Sequence, residues 1–242
     1  MTGKREPLWR AIAATIRQDI AEARHAPGTQ LPTEARYAAR FDVNRHTIRR
    51  ALAALAEEGV VHARRGAGVF VAQRPSDYPL GPRVRFHQNM QALGRMPERR
   101  GLSFETRTAL TDEARALELA PGAAVHVYDG LSLSDGIAIA AFRSVFPAAR
   151  FPQIGAALAA DASVTRALLA GGVADYTRRS TRMNAVIADA AQAHLLALPQ
   201  GSALLRTVSV NVDPDGVPVE YGTAWFAGER ITMTLDFADQ PS

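Results

Sequence analysis

The chain contains no cysteine, which excludes disulfides and thiolate metal sites and accords with a reducing compartment. No segment approaches the roughly 20 unbroken apolar residues that a membrane helix needs. Near the N-terminus Lys4 and Arg5 are followed by Glu6, Arg10 and Arg17, which interrupt any apolar stretch a secretory leader would require. The histidines (His25, His46, His62, His87, His126 and His194) show no ligand spacing, so no metal is expected. Gly66-Ala67-Gly68 is followed by neither a Lys-Ser/Thr pair nor a helix start, which removes a phosphate-binding loop. No nucleophile–base pair, paired acid or cofactor motif stands out, so neither enzyme activity nor a cofactor is expected. The expectation is a soluble, cytoplasmic protein without a membrane partner.

What is present is a globular composition, 47% hydrophobic over 242 residues, enough for two ordinary domains. Charge is unevenly placed. Residues 1–75 carry 13 Lys and Arg against 7 Asp and Glu, whereas the remainder carries 15 against 17. A basic first third on a nearly neutral remainder points to a polyanionic partner for the first domain alone.

Leu8, Ile12, Ile16 and Ile20 recur every fourth residue, which predicts a helix with one apolar stripe, ended by Pro27-Gly28. Leu31-Pro32-Thr33 sets up a second helix to about Phe41 with Thr33 as N-cap. Asp42-Val43-Asn44 makes a turn, and Asn44 caps a third helix that buries Ile48, Leu52 and Leu55 and stops at Gly59. Residues 60–64 and Val69–Val71 read as strands around the turn Arg65-Gly66-Ala67-Gly68. Three helices followed by a basic hairpin is the order of a winged helix-turn-helix, assigned to residues 1–74. The proline-rich stretch 75–82 reads as a semi-extended linker, and residues 83–242 as a second domain.

That second domain contains a repeat. Leu117-Glu118-Leu119-Ala120-Pro121-Gly122 precedes a hairpin closed at Asp135-Gly136. Leu196-Ala197-Leu198-Pro199-Gln200-Gly201 precedes one closed at Asp215-Gly216, offset by 79 residues at the glycines (122 to 201). Asp-Gly suits the positive φ of hairpin turns. Two helix-hairpin units paired edge to edge predict one antiparallel sheet with helices on a face, an α+β fold. Residues 163–169 read as a helix and 178–186 as a strand between the repeats. Met90, Met96 and Met183 are expected to fill core.

The third helix carries the chemistry. With Ile48, Leu52 and Leu55 buried, Asn44, Arg45, His46, Thr47 and Arg49 lie at its exposed start, where donors meet phosphates and base edges in a major groove. Arg45 and Arg49 project from one side, and a bidentate Arg to guanine is the commonest specific contact. Thr33 and Arg36 flank this surface, and Arg64, Arg65 and Gly66 at the hairpin tip reach phosphates or the minor groove. The run "LPTEARYAARFDVNRHTIRRALAALAEEGVVHARRGAGVFV" resembles the GntR family of bacterial regulators over its whole length. That family usually has Arg directly after the Glu of Leu-Pro-x-Glu. Here Ala35 stands there and Arg36 follows.

Residues 83–237 resemble the effector domain of the HutC subfamily, whose fold is similar to that of chorismate lyase. The segments "RVRFHQNM", "VFPAARFP", "GVADYTRRSTR", "LALPQGSALL" and "NVDPDGVPVEYG" resemble the branch that regulates phosphonate uptake and breakdown. The resemblance implies a repressor that binds palindromic operator double-stranded DNA as a homodimer and senses a phosphonate or related oxyanion. The residues themselves favour an anion: Arg83, Arg85, Arg143, Arg178, Arg179 and Arg182 offer the planar forks that phosphonate or phosphate groups take. By resemblance the effector site comprises Arg85, Ser132, Arg143, Ser163, Tyr176, Arg178 and Glu220, with Glu220 accepting from an amine or hydroxyl. Relatives that bind sugar phosphates tend to carry Arg on the strand of Ser132 and a Glu near Ala140–Ala141, both absent here. Sulfate, a sugar phosphate or an imidazole-type acid are alternative ligands. The alternative class is a lyase-like enzyme, although a shared fold licenses no activity.

Overall fold

The computed structural model describes residues 7–64, 68–72, 75–81, 83 and 86–235, without the side chains of residues 64 and 87. The chain divides into two compact units, Met1–Arg74 and Pro75–Ser242.

In the first unit α1 (Leu8–Ala21) buries Ile12 and Ile16. It ends before the predicted Pro27-Gly28 because Ala23 takes a left-handed φ of 58°. Arg24 then folds back, its N–H bonding the Asp19 carbonyl and its Nη1 the Asp19 Oδ1 at 2.9 Å. The next helix, α2 (Glu34–Phe41), is capped by Thr33, whose Oγ1 accepts from the Arg36 N–H at 3.3 Å. The third, α3 (Arg45–Glu57), is capped by Asn44, whose Oδ1 accepts from the Thr47 N–H at 2.9 Å. Ile48, Leu52 and Leu55 on α3 pack with Tyr37, Ile12 and Ile16 in one core. After Gly59, β1 (Val61–Arg64) pairs antiparallel with β2 (Gly68–Val71). Residues 29–31 run along the other side of β2, Leu31 N–H to the Val69 carbonyl and Val71 N–H to the Thr29 carbonyl. Only glycine fits at Gly68: its φ is 104°, and a Cβ would lie 2.7 Å from Gln30 Nε2.

The second unit begins with β3 (Ser76–Pro79), which pairs in parallel with β10 (Ile231–Thr234). The predicted linker 75–82 is therefore corrected: its central residues are a strand of the second unit, because each of them finds a ladder partner there. Between these strands come α4 (Phe86–Ala92), β4 (Pro97–Thr108), α5 (Thr111–Ala116), β5 (Ala124–Ser134), β6 (Ile137–Pro147), α6 (Ile154–Ala160) and α7 (Val164–Ala170). They are followed by β7 (Thr177–Ile187), α8 (Ala190–Leu195), β8 (Ala203–Val212) and β9 (Pro218–Ala227).

Among the described residues, six strands form an antiparallel sheet in the order β4-β5-β6-β9-β8-β7. The order is that of two repeats, β4-α5-β5-β6 and β7-α8-β8-β9, joined where β6 meets β9. Asp135 and Gly136 both take positive φ, 51° and 77°, as a type I′ hairpin turn requires. The second hairpin turns differently. Gly216 has φ 80°, and the Asp213 carboxylate accepts the N–H groups of Asp215 and Val217 at 3.0 and 2.8 Å.

The helices lie on both faces of the sheet, not on one. Phe142 and Phe146 of β6 pack with α6 and α7, whereas Ala141 and Val145, one residue out of phase, join the clusters of Leu196 and Leu117 beside α8 and α5. Strands buried on both sides lose the alternation that marks a one-sided sheet, which is why the sequence suggested a single helical layer. Of the three methionines expected in the core, Met90 is buried, but Met96 and Met183 are exposed, at the start of β4 and on edge strand β7.

Candidate DNA-reading face and ligand cavity

On the first unit the exposed start of α3 presents Arg45, His46 and Arg49, with Thr47 half-buried and Arg36 exposed on α2. Arg49 does not stand free. Its Nε and Nη2 donate to Glu34 Oε1 and Oε2 at 3.1 and 2.8 Å. The Arg49 hydrogen bond, aided by the charges of Arg49, Arg45 and His46, holds the Glu34 carboxyl below the usual range. With Arg49 exposed, solvent screens the pair and it adds little to stability. It does fix where the guanidinium points. Sequence reasoning missed Glu34 because its partner lies 15 residues away on another helix, beyond any local spacing rule. Thr33 and Asn44 spend their side-chain oxygens on the helix caps, and Asn44 Oδ1 also takes the Thr47 hydroxyl at 3.0 Å. Nearby, the Arg50 guanidinium covers the Trp9 ring at 4.8 Å. Of the hairpin-tip residues, Arg65, Gly66 and the side chain of Arg64 lie outside the described residues.

In the second unit two adjoining cavities share four wall residues: Phe86, Arg99, Arg178 and Glu220. The narrower, about 80 Å³, is bounded by the hydroxyl residues Ser132, Ser144, Thr207 and Ser209 and by Tyr78 and Phe142. The wider, about 260 Å³, is bounded by Ser163, Thr165, Tyr176 and Asn211. Ser132, Ser163, Tyr176, Arg178 and Glu220, all named from the sequence, thus line this compartment. Arg85 lies outside the described residues.

Glu220 is buried, its Oε1 accepting from the Ser144 hydroxyl at 2.5 Å and its Oε2 from Asn211 Nδ2 at 2.6 Å. Asn211 in turn accepts from Arg178 Nε at 3.1 Å. Ser163 caps α7, accepting from the Arg166 N–H at 3.3 Å, and the Tyr176 hydroxyl meets Thr165 Oγ1 at 2.8 Å. Burial pushes the Tyr78 phenol up, so it faces the cavity uncharged.

Arg143, also named from the sequence, is held by a carboxylate. It borders the narrower cavity, but the strand pleat aims its side chain to the opposite face from Phe142 and Ser144. Its Nε and Nη2 grip Asp129 at 2.8 and 3.0 Å. Two further members of the predicted arginine set are also occupied: Arg83 by Asp175 at 2.8 Å and Arg179 by Glu118 at 2.7 Å.

The residue that sequence reasoning missed is Arg99, on β4. Its guanidinium lies over Phe142 at 4.7 Å and Phe86 at 5.7 Å. Its Nε is buried without a hydrogen-bond partner. No carboxylate among the described residues lies within ion-pair range of it. A guanidinium without a hydrogen-bond partner at Nε, hydroxyls and aromatic faces thus line one compartment.

A helix-capped reading face on one unit and a polar, cation-bearing cavity in another define a ligand-binding transcription regulator. Comparison with known proteins agrees. Residues 8–71 match the model for bacterial regulatory proteins of the gntR family, and residues 92–232 match the UTRA domain. This chain belongs to the gntR family, in the group whose members carry a UTRA domain. It is 38% identical over 233 residues to the uncharacterized HTH-type transcriptional regulator RB1450 of Rhizobium meliloti, covering 95% of this chain and 94% of that one. It is 33% identical over 241 residues to the "Probable transcriptional regulator PhnF" of Escherichia coli, covering 94% of each. The crystal structure of PhnF from Mycobacterium smegmatis superimposes with a TM-score of 0.66 at 25% identity, covering 96% of this chain and all of that one. These relatives are transcription regulators, not enzymes. No helix among the described residues is long and apolar enough to cross a membrane.

Proposed function

We propose that this chain is a ligand-responsive repressor that binds a palindromic operator as a homodimer and senses a phosphonate or a related small oxyanion. The observation that carries the ligand class is the Arg99 guanidinium, without an ion-pair partner among the described residues, lining one compartment with Arg178 and a set of hydroxyls. The similarity to two proteins named PhnF, one of them called a repressor, supports the same reading. On the DNA side, Arg45, His46, Thr47 and Arg49 enter the major groove, with Arg49 aimed by Glu34. Arg36 and the hairpin-tip residues Arg64, Arg65 and Gly66 take phosphates, and the Thr33 and Asn44 caps hold the helices that carry these groups. One such unit spans too few base pairs for genomic specificity, which two-fold pairing on a two-fold site supplies.

The test combines light scattering with operator titration, on a site selected from random duplex DNA. The expected result is a dimer in solution and one dimer per palindromic site. A protein that stays monomeric while saturating its selected site overturns the dimer. A panel of phosphonates, phosphate and sulfate, titrated calorimetrically, tests the ligand. Binding of none of the phosphonates at millimolar concentration removes the phosphonate assignment.

A further inference from the structure

The charges around the cavity do not cancel one another, and their arrangement specifies more than an anion. Arg99 and Arg178 carry two positive charges on the shared wall, and Glu220 carries one negative charge. The cations and the carboxylate do not pair. Both hydrogen-bond donors to Glu220, Ser144 and Asn211, are neutral. Asn211 stands between Glu220 and Arg178, giving its amide to one and taking the Arg178 Nε in its carbonyl. Arg99 rests on two aromatic faces instead of a carboxylate. Among the described residues none accepts a hydrogen bond from its N–H donors, which are left for something else.

Keeping the buried Glu220 carboxylate beside two half-buried arginines without contact costs stability, since the carboxylate loses water without gaining its counter-ion. The cost is recovered when a ligand supplies both counter-ions at once. A plain oxyanion satisfies the arginines and is repelled by Glu220. A plain amine does the reverse. A group titrating near pH 6, as phosphate monoesters do, is largely dianionic at neutral pH. Joined to an ammonium it carries one net negative charge, the complement of the two arginines and one carboxylate on the shared wall among the described residues.

We propose that the effector is a zwitterion, an aminoalkyl phosphonate or phosphate ester, whose oxyanion lies on Arg99 and Arg178 and whose ammonium lies on Glu220. This rests on the oxyanion-sensing function proposed above and narrows it to ligands that carry both charges. The rim hydroxyls of Ser132, Thr207 and Ser209 supply the neutral hydrogen bonds that the oxyanion's remaining lone pairs take.

The experiment is calorimetric titration of the full chain with 2-aminoethylphosphonate, ethylphosphonate, phosphoethanolamine, ethanolamine and 2-aminoethylsulfonate. The amino-bearing phosphonate or phosphate is expected to bind at least tenfold tighter than ethylphosphonate, with ethanolamine not detected and the sulfonate weaker than either. Whichever of 2-aminoethylphosphonate and phosphoethanolamine binds tighter identifies the source of the oxyanion, and either result supports the charge arrangement. Glu220→Gln, which keeps the size and an acceptor for Ser144, is expected to erase the amine preference. Arg99→Gln is expected to weaken every oxyanion at least tenfold. Ethylphosphonate binding as tightly as its amino counterpart overturns the zwitterion and leaves the oxyanion sensor standing. Retention of the amine preference in Glu220→Gln removes Glu220 as the ammonium site. Failure of every phosphonate and phosphate to bind overturns both readings, and the wild-type comparison holds whether or not the variants fold.

Discussion

The two units use arginine alike except at the cavity of the second. On the reading unit the arginines are exposed and many already have partners: Arg49 with Glu34, Arg40 and Arg24 with Asp19, Arg17 with Glu58. Of these pairs, Arg49–Glu34 lies at the exposed start of α3, and the others tie α1 to its neighbours. In the sensing unit most arginines are likewise committed, Arg143 to Asp129, Arg150 to Asp213 and Arg107 to Glu113. Arg99 breaks that pattern, half-buried at the cavity wall without a counter-ion among the described residues. A surface that reads DNA tolerates paired cations because the phosphates outbid water-exposed partners. A cavity that senses one small molecule needs a cation that nothing else has taken.

The comparison breaks most visibly at a third kind of arginine. Arg230 is buried and donates to the carbonyls of Ala138, Leu196 and Ala197 at 2.5, 2.7 and 3.2 Å. Arg230→Ala strands those buried acceptors and is expected to cost about 3 kcal/mol or more, measured by urea unfolding of the second unit. A loss below about 1 kcal/mol would place water where the guanidinium was.

Next in size is Arg49→Ala, expected to cost about 1–3 kcal/mol on the selected operator and less on random DNA if the side chain reads a guanine edge. Equal losses on both sequences assign Arg49 to phosphate instead. Asp19 sharpens the same side of the comparison. The hydrogen bond from Arg40, with the charges of Arg40 and Arg24, holds its carboxyl below the usual range despite burial. A carboxyl with a depressed folded pKa contributes stability that is complete above the unfolded value near 4 and lost as pH falls through the folded one. Acid unfolding of the first unit is therefore expected to steepen below about pH 4. Asp19→Asn, costing about 1.5–3 kcal/mol at neutral pH, flattens that dependence in pH-resolved urea melts.

How much of this was legible follows the range of the interactions. Thr33 and Asn44 declare themselves as caps because a cap acts within three residues. Asp135-Gly136 declares a hairpin because the turn needs two positive φ values in succession. The pairing of the two repeats follows from their matching motifs. The pairing of Arg143 with Asp129 was not legible because its face depends on β6 register, which no local pattern in a doubly buried strand reveals. Arg99 was not legible at all. It sits on a polar edge strand without alternation, and its cavity is assembled from residues as distant as Tyr78 and Met233. The exposed β4 escaped prediction for the same reason, with Pro97 and Gly101 adding turn-like signals to a polar run.

The smallest expected effect is on stability in Arg99→Gln, within about 0.5 kcal/mol of the parent, since an uncompensated cation gives up little when removed. A large loss on unfolding would mean that Arg99 holds the fold and is not reserved for a ligand.

The central claim, a regulator whose cavity governs its grip on DNA, is tested most directly by operator affinity in wild type and Arg99→Gln, each with and without 2-aminoethylphosphonate. Moving a mostly bound population to a mostly free one requires roughly 5 kcal/mol of preference for the non-DNA state. The account predicts that wild type loses operator affinity at least tenfold on adding the ligand, while Arg99→Gln binds the operator normally and ignores it. Wild-type affinity that stays unchanged at ligand concentrations shown by calorimetry to saturate the protein would contradict it.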